Sequence, residues 1–176
     1  MKKLMVAKSA GFCFGVSRSV KMAEEMLAAE QNCYSLGELI HNDDVVQHLR
    51  SEGLTVVDGP EQIPQGASVI IRSHGVSRDV YRHLEATGAN IVDATCPFVK
   101  RIHKLVAQAE AEGKLPIIIG TPTHPEVEGI AGWCSRCAIF ESPEELENWV
   151  KNERISPDLP ICMVSQTTST ESLWKK

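Results

Sequence analysis

Two cysteines occupy the same kind of position in this sequence, where a short apolar run gives way to an amphipathic helical pattern. Cys13 follows the strand-like residues 4–7. Cys96 follows the strand-like residues 89–94 and precedes Pro97, a residue type favoured at the first helical position. At a helix N-terminus, unpaired backbone N–H groups and the macrodipole favour negative charge on a sulfur. Both cysteines are therefore candidate thiolate ligands.

A histidine follows each cysteine at the same distance. His41 comes 28 positions after Cys13, and His124 comes 28 positions after Cys96, each behind another strand-like run and a turn. The chain thus carries a repeat with an offset of 83 residues, in which the residues capable of chemistry recur at matching points. We expect two pseudo-symmetric lobes, residues 1–95 and 96–176, and the first lobe is expected to begin with a strand ahead of Cys13.

Composition narrows the class of protein. The 176 residues, 43% of them hydrophobic, are enough for one domain or two small lobes. Charges of both signs are mixed along the chain at a net charge of −5, and aromatic residues make up only 5%, so we expect neither nucleic acid nor a membrane as partner. No apolar run has the length of a signal peptide or a membrane span, so we expect a cytoplasmic protein. In that reducing compartment, the cysteines are expected to be ligands, redox thiols or buried residues.

Strand-like runs alternate with helical patterns along the whole chain, which predicts an α/β fold with parallel sheets. In such sheets, ligands bind where the carboxyl ends of strands meet helix N-termini. Six polar or reactive residues are expected at ends of this kind: Cys13, His41, His74, Cys96, His124 and Thr167. We expect residues 121–129 to form a polar loop. His48, His83 and His103 fall inside helices and are expected at the surface or half-buried.

Two thiolates on separate lobes could hold zinc or an iron–sulfur cluster. Zinc ligands usually occur in close pairs, whereas these two cysteines are far apart in sequence, so a cluster held between lobes fits better. A 4Fe–4S cluster needs at least three protein thiolates. The repeat puts the next equivalent position at 179, beyond Lys176. We therefore expect a third ligand to belong to a lobe that these residues do not include.

The other polar residues at strand ends suggest an anionic ligand. Imidazoles at helix N-termini, together with hydroxyls such as those of Thr167 and Thr168, suit a phosphate or a diphosphate. Neither a Walker-type motif nor GxGxxG occurs, so a nucleotide is not the expected ligand. Glu126, two residues after His124, could be a proton donor if the site is dry enough to keep its carboxyl protonated.

Four further cysteines have no counterpart in the repeat. Cys33 and Cys162 lie within strand-like runs and are expected in the core. Cys134 and Cys137 form a single CxxC, which could be a redox pair or half of a zinc site. A zinc-binding module built on this pair is a rival to the iron–sulfur hypothesis.

Six segments in order carry a resemblance to a known family: GFCFGV, ELIHN, RSHGVS, DATCP, THPEVEG and SQTT. They span Gly11 to Thr168 and resemble the signature segments of 4-hydroxy-3-methylbut-2-enyl diphosphate reductase, the iron–sulfur enzyme that ends the non-mevalonate isoprenoid pathway. The resemblance implies a three-lobed α/β protein with pseudo-threefold arrangement and a central 4Fe–4S cluster held by one cysteine per lobe. It also implies a reductive dehydroxylation, in which two electrons and protons convert the allylic diphosphate to isopentenyl and dimethylallyl diphosphate.

The resemblance further implies a role for each motif residue. Cluster ligation falls to Cys13 and Cys96. Substrate binding falls to the polar groups His41, His74, His124, Thr167 and Thr168. Catalysis falls to Glu126 as the proton relay to the departing hydroxyl, to His124 beside it and to Thr167, which orients the relay. Ferredoxin or flavodoxin is implied as the electron donor.

The third lobe of the family, with its third cysteine and a Ser/Asn group for the diphosphate, has no counterpart in these residues. We therefore expect a C-terminally truncated reductase holding two of three lobes, in which a cluster on two thiolates would be labile. The alternative is an inactive fragment retained as a phosphate-binding or interaction module.

Overall fold

Fourteen regular elements and one short turn of 3₁₀ helix make up the computed structural model, which describes residues 4–8, 10–30, 32–153 and 156–175. The helices are α1 (Phe14–Ala29), α2 (Asp43–Ser51), α3 (Arg78–Ala86), α4 (Pro97–Ala111), α5 (Pro125–Ala131), α6 (Pro143–Asn152) and α7 (Glu171–Trp174). The strands are β1 (Cys33–Leu36), β2 (Leu54–Val57), β3 (Ser68–Ile71), β4 (Asn90–Asp93), β5 (Leu115–Ile119), β6 (Ala138–Phe140) and β7 (Ile161–Ser165). Among the helices of the described residues, none combines the length and the apolar character that a membrane crossing requires.

The strands form two parallel sheets, of order β2-β1-β3-β4 and β6-β5-β7. In each sheet the first strand along the chain, β1 or β5, lies between the next two. Every residue of β3 and β5 is buried, as expected where helices cover both faces of a parallel sheet. The predicted α/β class with parallel sheets is confirmed.

The predicted N-terminal strand is wrong. Residues 4–7 have no regular secondary structure, and the side chains of Leu4, Met5 and Val6 are 75% or more exposed. The corresponding run before Cys96 forms β4 because it pairs with β3 at a sheet edge. Residues 4–7 pair with no strand among the described residues, and an apolar pattern alone does not make a strand without a hydrogen-bonding partner.

Two further predictions need correction. Residues 121–129 are not loop throughout, because α5 begins at Pro125. Proline suits a first helical position, and the side chain of His124 caps this helix, a signal hidden by the polar composition of the segment. His103 is only 4% exposed, rather than at the surface or half-buried, because the indole of Trp133 stacks on its ring and Gly75 lies close to it.

Each sheet packs against its own hydrophobic core. Helix α1 packs on the first sheet through Ala23 and Met26, in a cluster with Leu54 and Ile70. Helix α4 packs on the second sheet through Val106, in a cluster with the β5 residue Ile118, the α5 residues Val127 and Ile130, and the β7 residue Val164. The helices that follow Cys13 and Cys96 are therefore anchored to different sheets.

Trp133, in the segment after α5, connects the two halves. Its indole N–H donates to the carbonyl oxygen of Val76 at 2.9 Å, and its own carbonyl oxygen accepts from Nη2 of Arg78 at 2.8 Å. The indole ring also stacks on the imidazole of His103, with ring centroids 5.1 Å apart. We call these contacts of Trp133 with Val76, Arg78 and His103 the Trp133 joint.

Because His103 is buried at this joint, it makes the stability of the folded protein sensitive to acid. Desolvation, opposed in part by the charge of Asp93, lowers the pKa of His103 from 6.5 to about 4, and its Nε2 has no hydrogen-bond partner among the described residues. The folded protein therefore binds fewer protons at this site than the unfolded chain. Stability is lost as the pH falls from about 6.5 to about 4.

We expect His103→Gln to flatten this acid loss. Over that range the wild-type protein should lose as much as about 3 kcal/mol more unfolding free energy than the variant, because glutamine does not titrate. Urea unfolding at pH 7, 5.5 and 4.5 measures the difference. His83→Gln, at an exposed position on α3, is the matched control. Parallel stability curves for wild type and His103→Gln would contradict the assignment.

Candidate active site

Cys13 and Cys96 are the N-cap residues of α1 and α4. Both of their sulfurs lie close to Gly15: a Cβ added there would be 2.8 Å from Sγ of Cys96 and 4.0 Å from Sγ of Cys13. Cys13 is exposed and Cys96 is half-buried. The backbone N–H of Cys96 donates to the carbonyl oxygen of Ser73 at 2.9 Å, which joins this cysteine to the turn that carries His74.

The two thiols fit part of a metal or cluster ligand set. Both sulfurs approach one stretch of α1 that has no side chain at Gly15, and both precede helices whose N-terminal dipoles stabilise thiolates. A 4Fe–4S cluster needs at least three protein thiolates, so this pair could supply two of the ligands and not the whole set.

Adding one methyl group at Gly15 is expected to weaken metal binding with little effect on the stability of the fold. Because the new Cβ would lie 2.8 Å from Sγ of Cys96, Gly15→Ala should displace that sulfur and weaken iron binding by about 10–100-fold. The free energy of unfolding should change by about 1 kcal/mol or less, because alanine is a better helix former than glycine and the Cys96 thiol can shift. Iron titration and urea unfolding measure the two effects, with Glu24→Ala, at an exposed site on α1, as the control. Unchanged iron affinity would contradict a metal site beside Gly15.

Three histidines from both halves come together. Their ring centroids are 4.7 Å apart for His41 and His74, 5.5 Å for His74 and His124, and 5.9 Å for His41 and His124. His41 precedes the N-cap of α2, His74 follows β3, and His124 caps α5. Nδ1 of His124 accepts the backbone N–H of Glu126 at 3.1 Å, which leaves Nε2 as the nitrogen that carries the ring proton.

His74 is neutral near pH 7. Burial is the largest of the effects that lower its pKa from 6.5 to about 4, and the neighbouring His41, Arg72 and His124 contribute to the same shift. Nδ1 of His74 is buried and has no hydrogen-bond partner among the described residues. A polar atom in this situation is costly unless a ligand or water pairs with it.

Arg72 is a site residue that the sequence analysis missed. Its guanidinium packs against Gly37, where the backbone is left-handed (φ +71°) and a side chain would collide with Nη1. Burial lowers the pKa of Arg72, the charge of Glu128 opposes that shift, and Nε is buried without a partner in the described part of the chain. The available signal was its place in RSHGVS, at the end of a buried strand.

The charge of Arg72 bears on what the histidines bind. A nitrogen from each ring lies within 4.8 Å of the other two, close enough to consider a zinc-like cation. The guanidinium beside them repels a cation and attracts an anion, and imidazole N–H groups donate hydrogen bonds to anionic oxygens. The electrostatics therefore favour an anionic ligand at the three histidines.

Glu126 and Thr167 form a hydrogen-bonded pair next to this cluster. Glu126, in the first turn of α5, is 2% exposed. Its Oε1 accepts the backbone N–H of Thr167 at 2.6 Å, and its Oε2 accepts the Thr167 hydroxyl at 2.8 Å. Because Thr167 is exposed, its hydroxyl connects a buried carboxylate to the surface. This arrangement can pass a proton outward.

Thr168 has a different environment. It is exposed, and its hydroxyl accepts a hydrogen bond from Nε2 of Gln166 at 2.7 Å. Gln166 is 8% exposed, and its Oε1 accepts the backbone N–H of Thr121 at 3.3 Å. Thr168 is thus bound to the loop scaffold rather than to Glu126, and Gln166 is a second residue that the sequence analysis missed.

The similarity to known proteins extends over almost the whole chain. The sequence matches the family model described as LytB protein over residues 4–176. It is 40% identical over 178 aligned positions to 4-hydroxy-3-methylbut-2-enyl diphosphate reductase of Caldanaerobacter subterraneus subsp. tengcongensis, covering 98% of this chain and 60% of that protein. It is 38% identical to the reductase of the same name from Aquifex aeolicus, covering all of this chain and 60% of the relative.

Solved structures give the same result. E-1-hydroxy-2-methyl-but-2-enyl-4-diphosphate reductase from Plasmodium falciparum superimposes with a TM-score of 0.87 at 29% identity, over 96% of this chain and 52% of that one. A structure described as (E)-4-hydroxy-3-methyl-but-2-enyl diphosphate reductase, the terminal enzyme of the non-mevalonate pathway, gives 0.79 at 37% identity, over 98% of this chain and 60% of its own. The chain therefore spans about 60% of the length of the curated relatives described above.

Proposed function

Since this chain belongs to the LytB protein family, we propose that its residues contribute to an active site that reduces 4-hydroxy-3-methylbut-2-enyl diphosphate to isopentenyl and dimethylallyl diphosphate. The reaction breaks the allylic C–O bond, takes up two electrons and two protons, and releases the hydroxyl as water. One observation carries the proposal: Cys96, the three histidines and the Glu126–Thr167 pair come after the carboxyl ends of parallel strands, and Cys13 lies near Cys96 at Gly15.

Cys13 and Cys96 would hold two positions of a 4Fe–4S cluster, with a third thiolate from outside these 176 residues. Such a cluster, when bound, would supply electrons received from ferredoxin or flavodoxin. Support comes from the bare backbone at Gly15, which leaves room beside both sulfurs, and from the helix N-termini, which stabilise thiolates.

His41, His74 and His124 would bind the diphosphate, with Arg72 supplying positive charge. Nε2–H of His124 is free to donate, because its Nδ1 already accepts a backbone N–H. The neutral His74 has a buried Nδ1 without a partner, and a diphosphate oxygen or its water would relieve that cost if Nδ1 carries the proton. Donors from both halves of the molecule would thus converge on one anion.

Glu126 and Thr167 would deliver the proton that leaves with the hydroxyl. With its carboxyl protonated on Oε2, Glu126 would donate to Oγ1 of Thr167 the hydrogen bond that it accepts in the structure, and that proton could move to Oγ1 while the Thr167 hydroxyl gives its own proton to the substrate oxygen. The second bond, from the backbone N–H of Thr167 to Oε1, keeps the pair aligned. Thr168 would act at most through Gln166 and the loop.

Arg72→Gln is expected to weaken binding of inorganic diphosphate by about 10–100-fold, since a hydrogen bond to a charged group is worth about 1.5–3 kcal/mol. Isothermal titration at low salt measures the dissociation constant, and the iron content should not change. Arg82→Gln, on the exposed side of α3, is the matched control. Equal affinities of Arg72→Gln and wild type would remove Arg72 from the site.

The whole proposal is tested by loading the protein anaerobically with iron and sulfide, then adding reduced methyl viologen and substrate. Oxidation of the viologen together with formation of isopentenyl and dimethylallyl diphosphate is the expected result. Binding of inorganic diphosphate without any turnover would instead favour the phosphate-binding role. Failure of the protein to bind diphosphate would contradict both.

A further inference from the structure

Cys134 and Cys137 lie in the segment between α5 and β6, and the proposed reaction uses neither. Both are half-buried free thiols. The thiol of Cys134 donates a hydrogen bond to the carbonyl oxygen of Ala131 at 3.5 Å, and two residues separate it from Cys137 along the chain. Both side chains pack against the apolar cluster of the second sheet together with Ile139 and Cys162. Two thiols thus share one short irregular segment and one apolar cluster.

The surroundings do not favour zinc. Among the described residues, no third histidine, cysteine or carboxylate joins this pair closely enough to complete a metal ligand set. Cys162 packs in the same apolar cluster, but the three sulfurs do not come together as a ligand group. Structural zinc sites need four ligands. The chemistry left to two adjacent thiols is the formation of a bond between them.

The two thiols are also unequal. A hydrogen bond from Cys134 lowers the pKa of Cys137 to about 7, against the opposing effects of burial and Glu110. The same hydrogen bond, together with burial, raises the pKa of Cys134, and the charge of Glu110 acts in the same direction while Arg78 opposes it. Near neutral pH, Cys137 is therefore the attacking nucleophile and Cys134 the resolving cysteine.

We propose that Cys134 and Cys137 are a redox-active dithiol that closes to an intramolecular disulfide by exchange with a small organic disulfide such as oxidised glutathione. The Cys137 thiolate attacks one sulfur of the small disulfide, forms a mixed disulfide and expels one thiolate. Cys134 then loses its proton and attacks the Cys137 sulfur, expelling the second thiolate. Two electrons pass from the protein to the small disulfide, which leaves as two thiols.

The second step is favoured by the first. Once Cys137 is in a mixed disulfide, it no longer accepts the hydrogen bond that holds the proton on Cys134. Disulfide formation also affects residues outside the pair. Cys134 directly follows Trp133, and Ser135 donates two hydrogen bonds to Glu110 of α4. Oxidation of the pair should therefore change the contacts of the Trp133 joint.

The sequence allows a direct test, because Arg136 lies between the two cysteines. Purified protein is equilibrated at pH 7 with defined ratios of reduced and oxidised glutathione, quenched with acid, alkylated and digested with trypsin. In the reduced form, peptides 115–136 and 137–151 separate. In the oxidised form, they are expected to remain joined and to rise in amount with the oxidised fraction. A link between Cys13 and Cys96 would join different peptides, so the two disulfides are distinguishable.

Variants decide the roles of the two thiols. Cys137→Ser should abolish the joined peptides, whereas Cys162→Ser, in the neighbouring strand, should leave them unchanged. Cys134→Ala should shift the pH at which Cys137 reacts half-maximally with iodoacetamide upward from about 7. Glutathione adducts on Cys137 without joined peptides, or no adduct and no link at any ratio, would overturn the proposal. None of these readouts depends on iron or on substrate.

Discussion

Replacing Glu126 by glutamine is expected to lower turnover of the iron-loaded protein by about 10²–10⁴-fold, the usual contribution of a positioned general acid. The substitution keeps the shape of the side chain, and the amide oxygen can still accept one of the two hydrogen bonds from Thr167. It removes the ability to hold a proton and pass it on. The loss should therefore appear in the rate of viologen oxidation, while the affinity for inorganic diphosphate stays within a factor of a few.

A matched control exists in the same chain. Glu144 follows Pro143 at the start of α6, as Glu126 follows Pro125 at the start of α5, but Glu144 is exposed. Glu144→Gln should turn over at the wild-type rate. Thr167→Ser, which keeps the hydroxyl, should retain far more activity than Thr167→Val. A Glu126→Gln protein with normal turnover would show that the departing hydroxyl receives its proton elsewhere.

Cys96→Ala is expected to abolish the iron–sulfur absorption of protein reconstituted with iron and sulfide. Removing one of the two thiolates beside Gly15 leaves a single ligand from this chain, too few to retain a cluster. Visible absorption, electron paramagnetic resonance and iron and sulfide analysis measure the loss, and urea unfolding checks the fold.

Cys162→Ala serves as the control for this second experiment, since Cys162 lies in β7 and contacts the apolar cluster rather than the two N-cap sulfurs. Its spectrum should match that of the wild type. A cluster spectrum that survives in Cys96→Ala would contradict the assignment and point to other thiols, with Cys134 and Cys137 the first to examine.

Much of this architecture can be predicted from local pattern. Buried β-branched runs such as β3, and helices marked by Ser142 or Pro97, carry their signals within a few residues, so the α/β class follows from the sequence. The recurrence of histidines behind such strands predicted that they would meet, because the ends of parallel strands share one edge. The structure brings His41, His74 and His124 together, and their roles remain predictions.

What local pattern missed depends on distant neighbours. Residues 4–7 have a strand-like composition but lack a pairing partner among the described residues, and His103 resembles other helical histidines until Trp133 covers it. Arg72 matters because Gly37 leaves room for its guanidinium, and Gly15 because two sulfurs approach it. These are properties of residue pairs far apart in sequence, which spacing along one chain does not reveal.

Helices α1 and α4 are anchored to different sheets, so the strength of iron binding depends on the effective concentration of one thiolate near the other. Once one thiolate holds the metal, the other competes with solvent at a local concentration set by how firmly the halves are held together. The Trp133 joint supplies contacts of that kind without touching either sulfur. Loosening it would therefore weaken metal retention by dilution, with both thiols chemically intact.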